Sequence, residues 1–185
     1  MSKWLPDSTL ELILVKIQNS EEIAICSQQP LTYFNAAWGS LWIQNTAYNL
    51  GDIIHPPTQN GHIYECVVAG TSDSTEPGWG VTQDQEFVDG GVTWKTHDNY
   101  SLVNAALSPS DLTIGEGSVS GRALFVAQKV GEIVHTGGAV THTALISNTT
   151  RELNAVSLSQ TDGGVLEEGK LTAIIGFSIE VGDPE

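Results

Sequence analysis

Basic residues are scarce in this chain: seven Lys and Arg stand against 22 Asp and Glu, a formal net charge of −15. Neutralising a phosphate backbone takes clusters of Lys and Arg, whereas Lys3, Lys16, Lys95, Arg122, Lys129, Arg151 and Lys170 are scattered. This argues against nucleic acid or an anionic membrane as partner and leaves a cationic partner, or simple solubility at high local concentration. Cysteine is nearly absent. Cys26 and Cys66 each sit in an apolar, strand-like run and read as small buried thiols rather than a disulfide. No run approaches the ~20 apolar residues of a membrane span. The opening Met1-Ser2-Lys3-Trp4-Leu5-Pro6 lacks the apolar stretch of a signal peptide. The chain is therefore expected to be made in the cytosol and to stay soluble.

Charge of either sign is also low, at 16% of residues, while glycine is plentiful at 19. Long surface helices usually carry many Lys, Glu and Arg, so this mixture suits short strands joined by tight turns. The hydrophobic fraction of 40% is that of a globular protein, and 185 residues can bury a real core.

Only the first segment has helical periodicity. Ser8 is placed to N-cap it with Glu11 as capping-box partner, and Leu10, Ile13, Leu14 and Ile17 recur at helical spacing. Ile23–Cys26 then reads as a short buried strand. Residues 38–98 differ in texture, holding four of the five tryptophans, Trp38, Trp42, Trp79 and Trp94. Strands are expected there at Ile53-Ile54, Ile63–Val68 and Val92–Lys95, with hairpin signals at Asn60-Gly61 and Asp89-Gly90-Gly91. Beyond Tyr100, strands are expected at Arg122–Val130, Glu132–His135, Thr141–Ser147, Glu152–Leu158 and Leu171–Val181, the last being the longest apolar run and expected to be central. Gly115–Gly121 reads as a flexible turn. The expected fold is mainly β: a β-sandwich or barrel host domain with one N-terminal helix, built from residues 1–37 and 99–185. A small tryptophan-rich β module, residues 38–98, is inserted in one of its loops.

Chemistry leaves little trace in the sequence. Gly115–Gly121 has neither nucleotide-loop spacing nor the G-x-S-x-G pattern. His55 and His62, and His135 and His142, lack the spacing of a helical zinc site, and His62-x-x-x-Cys66 on a strand is a weak ligand signal. Asp162, Glu167 and Glu168 form no recognisable acid/base pair. No catalytic residue, metal or cofactor is assigned, and a non-enzymatic protein is expected. The tryptophan-rich stretch has two readings. Aromatic faces on a small β scaffold can stack on sugar rings, making Trp42, Tyr64, Trp79 and Trp94 a candidate sugar platform. The same side chains can instead be the only core available to a small module without disulfide or metal. At least two of the four tryptophans are assigned to that core, leaving one or two exposed.

Trp42-Ile-Gln-Asn-Thr-Ala-Tyr48-Asn-Leu-Gly51-Asp52-Ile, Asn60-Gly61-His-Ile-Tyr64-Glu-Cys, Glu76-Pro77-Gly-Trp79 and Asp89-Gly90-Gly-Val-Thr93-Trp94 together resemble a module that recurs in tail fibres and other virion proteins of tailed bacteriophages. Its first half also resembles chitin- and cellulose-binding modules of secreted glycosidases, from which it departs in a longer middle and the added Asp-Gly-Gly-Val-Thr-Trp hairpin. The flanking segments, with Ser120-Gly121-Arg122, Ala139–Ile146 and Phe177-Ser-Ile-Glu-Val-Gly-Asp183-Pro184, are similar to short structural proteins of tailed phages. This resemblance implies a virion structural protein. The form expected is a capsid decoration (cement) protein, a trimer made in the host cytoplasm, that binds the major capsid protein on the outer surface and stabilises the shell while its inserted module projects. The alternative it implies is a tail- or fibre-associated receptor-binding protein that engages a host-surface glycan.

Overall fold

The computed structural model describes residues 7–118, 121–159 and 164–181, without the side chains of residues 7, 8 and 10. Ser120, Asp162, Gly163, Asp183 and Pro184, which figured in the sequence reading, lie outside the described residues. In chain order the elements begin with α1 (Asp7–Gln18), β1 (Glu22–Cys26), a helical turn at Tyr33–Ala36, β2 (Ser40–Leu41), β3 (Ala47–Tyr48) and β4 (Ile53–His55). Next come β5 (His62–Val68), β6 (Gly70–Thr71), β7 (Glu86–Asp89), β8 (Val92–Asp98), β9 (Ser101–Ala106), a 3-10 turn at Pro109–Asp111, β10 (Leu112–Glu116) and β11 (Arg122–Val126). The last are β12 (Lys129–Ile133), β13 (Gly138–Ala139), β14 (His142–Ser147), β15 (Glu152–Leu158), β16 (Val165–Leu166), β17 (Leu171–Ile174) and β18 (Phe177–Val181). The protein is mainly β, 48% strand against 10% helix. Its elements fall into two compact units: residues up to Tyr33 with those from Leu102 onward, and Phe34–Ser101, which contains the tryptophan-rich stretch.

The first unit is organised around a four-stranded sheet of order β15-β14-β1-β9. β1 lies inside this sheet, and Ile23, Ala24, Ile25 and Cys26 are all buried, so both of its faces are covered. That is why its sequence reads as a continuous apolar run rather than an alternation. β14 pairs with it antiparallel from Glu22↔Ile146 to Cys26↔His142. Ile23, Ile25 and Leu145 pack with Leu14 of α1, Leu102, Leu112, Leu124 and Ile174 in one core. Ser8 lies within α1 rather than at its cap, and Glu11 pairs with Arg122 at 2.6 Å. Of the expected helix face, Leu14 is buried and Ile13 is exposed.

The expected central strand over Leu171–Val181 is corrected on two counts. It divides into β17 and β18, and neither is central: β18 is the edge of the sheet β10-β11-β18, and β17 belongs to the two-stranded ribbon β12-β17. Arg122–Val130 divides likewise, into β11 and the start of β12. The two breaks face one another. Val126 pairs with Phe177 and Lys129 with Ile174, so one register runs across the gap and the four strands form a single kinked ribbon. Gly176 makes the kink, because a Cβ there would lie 2.7 Å from the Val126 carbonyl oxygen. In the ribbon's second half Gly131 takes φ +80 at a register shift between Val130 and Glu132, a bulge that only glycine adopts without strain. Gly115, expected in a flexible turn, lies in β10, which pairs with β11.

The second unit is a five-stranded sheet of order β2-β4-β5-β8-β7, with β3 paired to β6. β5 and β8, seven residues each, are its antiparallel centre. Asp89 pairs with Val92, leaving Gly90-Gly91 as the two-residue turn the sequence signalled, with φ +59 at Gly90. Asn60-Gly61 is not a two-residue hairpin but the end of the longer loop joining β4 to β5. The two ends of the unit are tied together. Asn35 Nδ2 donates to the Asp98 carbonyl at 2.9 Å, and Asn99 Nδ2 to the carbonyls of Phe34 and Ala37 at 2.8 and 2.7 Å.

Candidate functional site

Asp89 closes β7 and turns its carboxylate inward, 2% exposed. Its Oδ2 accepts the indole N–H groups of Trp42 at 2.9 Å and Trp94 at 3.0 Å, and its Oδ1 accepts the backbone N–H of Asp73 at 2.9 Å. A buried carboxylate needs its lone pairs filled, and here N–H dipoles fill them without a cation. The same bonds orient the two indoles. Trp94 meets Tyr48 edge-on at 4.9 Å, and Trp42 meets Trp79 edge-on at 5.9 Å. Trp79 lies against Tyr64 at 4.7 Å and meets Phe87 edge-on at 5.9 Å.

This packing corrects the sugar platform. Trp42, Tyr64 and Trp94 are buried in one cluster, and Trp79 is half-buried against it. Their polar atoms are engaged too: the Tyr64 hydroxyl accepts from Asn60 at 2.7 Å and donates to the Gly80 carbonyl at 2.9 Å, and the Trp79 indole donates to Glu76 at 2.6 Å. Stacking on a sugar needs an open aromatic face, and three of the four residues have none. The reason is the one expected of a small module without cross-links: its large aromatics are its core. Two of the four tryptophans in the unit, Trp42 and Trp94, are core, while Trp38 and Trp79 are half-buried, Trp38 stacking on His55 at 4.7 Å.

The remaining candidate groups are held within the fold. His97 is buried, stacks on Phe34 at 3.7 Å and lies 3.2 Å from the Glu65 carboxylate. Burial holds its pKa below the usual imidazole value, against the opposing pull of Glu65. His62 Nδ1 lies 3.2 Å from Asp98. Both cysteines are free and buried, and burial pushes the Cys26 thiol up to about 12. Among the described residues no three His, Cys, Asp or Glu side chains gather as metal ligands would. No helix among them is long and apolar enough to cross a membrane.

The first unit presents a different surface. Across the β12-β17 ribbon Ile133 pairs with Leu171 and Val130 with Ala173. On its outer side Leu171 is 71% exposed, Val130 68% and Ile133 57%, with Ile175 exposed just beyond. Burying one such side chain is worth roughly 1.5–3 kcal/mol, so an uncovered row of them marks a contact surface. Beside it opens an apolar pocket of about 180 Å³, reaching down to Ile25, Val103 and Ile174 of the core.

No family model matches the chain, and no curated protein and no solved structure matches it.

Proposed function

We propose that this chain is a non-enzymatic structural protein of a tailed-phage virion, a capsid decoration protein that grips the major capsid protein and stabilises the shell from outside. The observation that carries the reading is the apolar outer face of the β12-β17 ribbon, with Val130, Ile133 and Leu171 open to solvent. Interface cores are depleted in charge, and this row supplies such a core on a chain of net charge −15. The same acidity suits a surface turned away from packaged DNA. The groups best suited to chemistry, Asp89 and His97, are taken up by bonds within the fold, in keeping with a protein that assembles rather than catalyses. The fibre-associated, glycan-binding reading has less support, because Trp42, Tyr64 and Trp94 turn no open face to a ligand.

Immunogold imaging of purified virions tests the proposal: label distributed over the capsid is expected, and label on the tail alone overturns it. The paired substitutions Ile133→Ser and Leu171→Ser should abolish binding to undecorated shells while the soluble protein keeps its β-sheet circular dichroism. Unchanged binding would move the contact elsewhere. Mass measurement of the free and shell-bound protein tests the trimer.

A further inference from the structure

We infer that the first unit contains a binding site for a small, uncharged, apolar molecule of one or two fused rings, a property separate from the assembly role. The site is the pocket of about 180 Å³ beside the ribbon. Its floor is a row across the central sheet. Thr143 of β14 pairs with Ser157 of β15 on one side and with Ile25 of β1 on the other, which sets all three on the same face of the sheet. Val103 of β9 and Ile174 and Phe177 of the kinked ribbon also line it.

The space arises from side-chain size. One register step along the same face the row is Ile23, Leu145 and Ala155, with Leu145 filling the core, whereas here the smaller Thr143 occupies the middle strand between Ile25 and Ser157. Well-packed interiors rarely leave room for more than a water. An apolar cavity of about 150 Å³ stays dry and takes up benzene, so about 180 Å³ accommodates a single ring with a substituent or a compact fused pair. The lining decides the chemistry. Among the described residues, the 14 that line it include no Asp, Glu, Lys, Arg or His, and their polar side chains are Ser and Thr hydroxyls. A charged ligand would lose its hydration with no opposite charge among the described lining residues to offset it.

The test is a titration of the full-length protein with benzene and with indole, followed by methyl NMR, with benzylammonium as the charged control. Saturable shifts at the methyls of Val103, Ile25 and Ile174 are expected from benzene or indole, and binding of benzylammonium should be at least tenfold weaker. Thr143→Leu and Ser157→Phe fill the floor from two different strands, and either should reduce affinity for the neutral probes at least tenfold. Absence of saturable shifts at those methyls overturns the inference, as does equal binding of benzylammonium or undiminished binding in a folded filled variant. The titration of the unsubstituted protein decides by itself if both variants fail to fold. Capsid imaging is blind to this result, so failure of the site and failure of the decoration reading are told apart.

Discussion

Replacing Asp89 should unfold the tryptophan-rich unit far more readily than its single negative charge suggests. The carboxylate accepts three N–H groups, two of them indoles on one oxygen, and it is buried. Asp89→Ala strands the Trp42 and Trp94 N–H groups in the core and frees the Asp73 amide. Each buried donor left without an acceptor costs about 1–3 kcal/mol, so the two indoles alone account for a loss of about 2–6 kcal/mol. That is a large share of the ~5–15 kcal/mol that holds a domain folded. Asp89→Asn keeps the shape but has one acceptor oxygen, so its NH2 must face at least one of the three donors, at a cost of about 2–3 kcal/mol. Urea unfolding followed by tryptophan fluorescence reads the effect, since four of the five tryptophans lie in this unit. Indole N–H exchange of Trp42 and Trp94 should quicken in parallel. The internal control is Glu76→Gln, which touches the same kind of bond, to Trp79, at an exposed position. There the expected change is below about 1 kcal/mol. An Asp89→Ala protein within about 0.5 kcal/mol of the parent, with unchanged indole exchange, would refute the argument, because two buried indole donors cannot lose their acceptor at so little cost.

The other predictions concern groups that the fold buries or ties. His97 has a folded pKa below its ordinary 6.5 because burial disfavours the charged ring. The unfolded chain therefore takes up the proton first, and stability should fall as pH drops below about 6.5; the urea midpoint of the second unit should fall between pH 7 and 5, and His97→Gln should flatten that fall. Cys26, raised to about 12, and Cys66, also raised by burial, should resist a thiol reagent at pH 8 in the native protein and both react in urea. Rapid labelling of either thiol without denaturant would contradict the packing. Asn99→Ala removes two bonds that tie the ends of the second unit and should cost about 2 kcal/mol by chemical denaturation, whereas a change of a few tenths would mean the ends are held by other contacts.

Local chemistry was the most legible part of the fold. The Gly90-Gly91 turn, β1, β15 and the strands on either side of the tryptophans follow from turn residues and apolar runs. Among the strands that the sequence did not signal, β9 and β10 escape because Asn104, Gly115 and Glu116 interrupt their apolar pattern, and because β10 is completed by β11 rather than by its own sequence. The kink between β17 and β18 was equally hidden: Gly176 sits inside an apolar run, and only the approach of the Val126 carbonyl shows why glycine is required there. Asp89 was read as one residue of a turn signal. Nothing local marks it as an acceptor for Trp42, which lies 47 positions away.

The misplaced strand is the more instructive case. Leu171–Val181 reads as central because hydrophobic periodicity reports how much a segment is to be buried, without saying against what. β1 meets the expectation through its own neighbours, with both faces covered. Leu171 and Ile175 belong to a run of similar apolarity, yet they stand in solvent beside Val130 and Ile133. An isolated apolar residue on a surface means little, but a row of them on one ribbon face is a standing cost to a monomer. In the proposed function that cost is removed by the shell protein, which covers the outer face as the core already covers Ile174. In the assembled state β17 would then be buried on both faces, as its sequence reads.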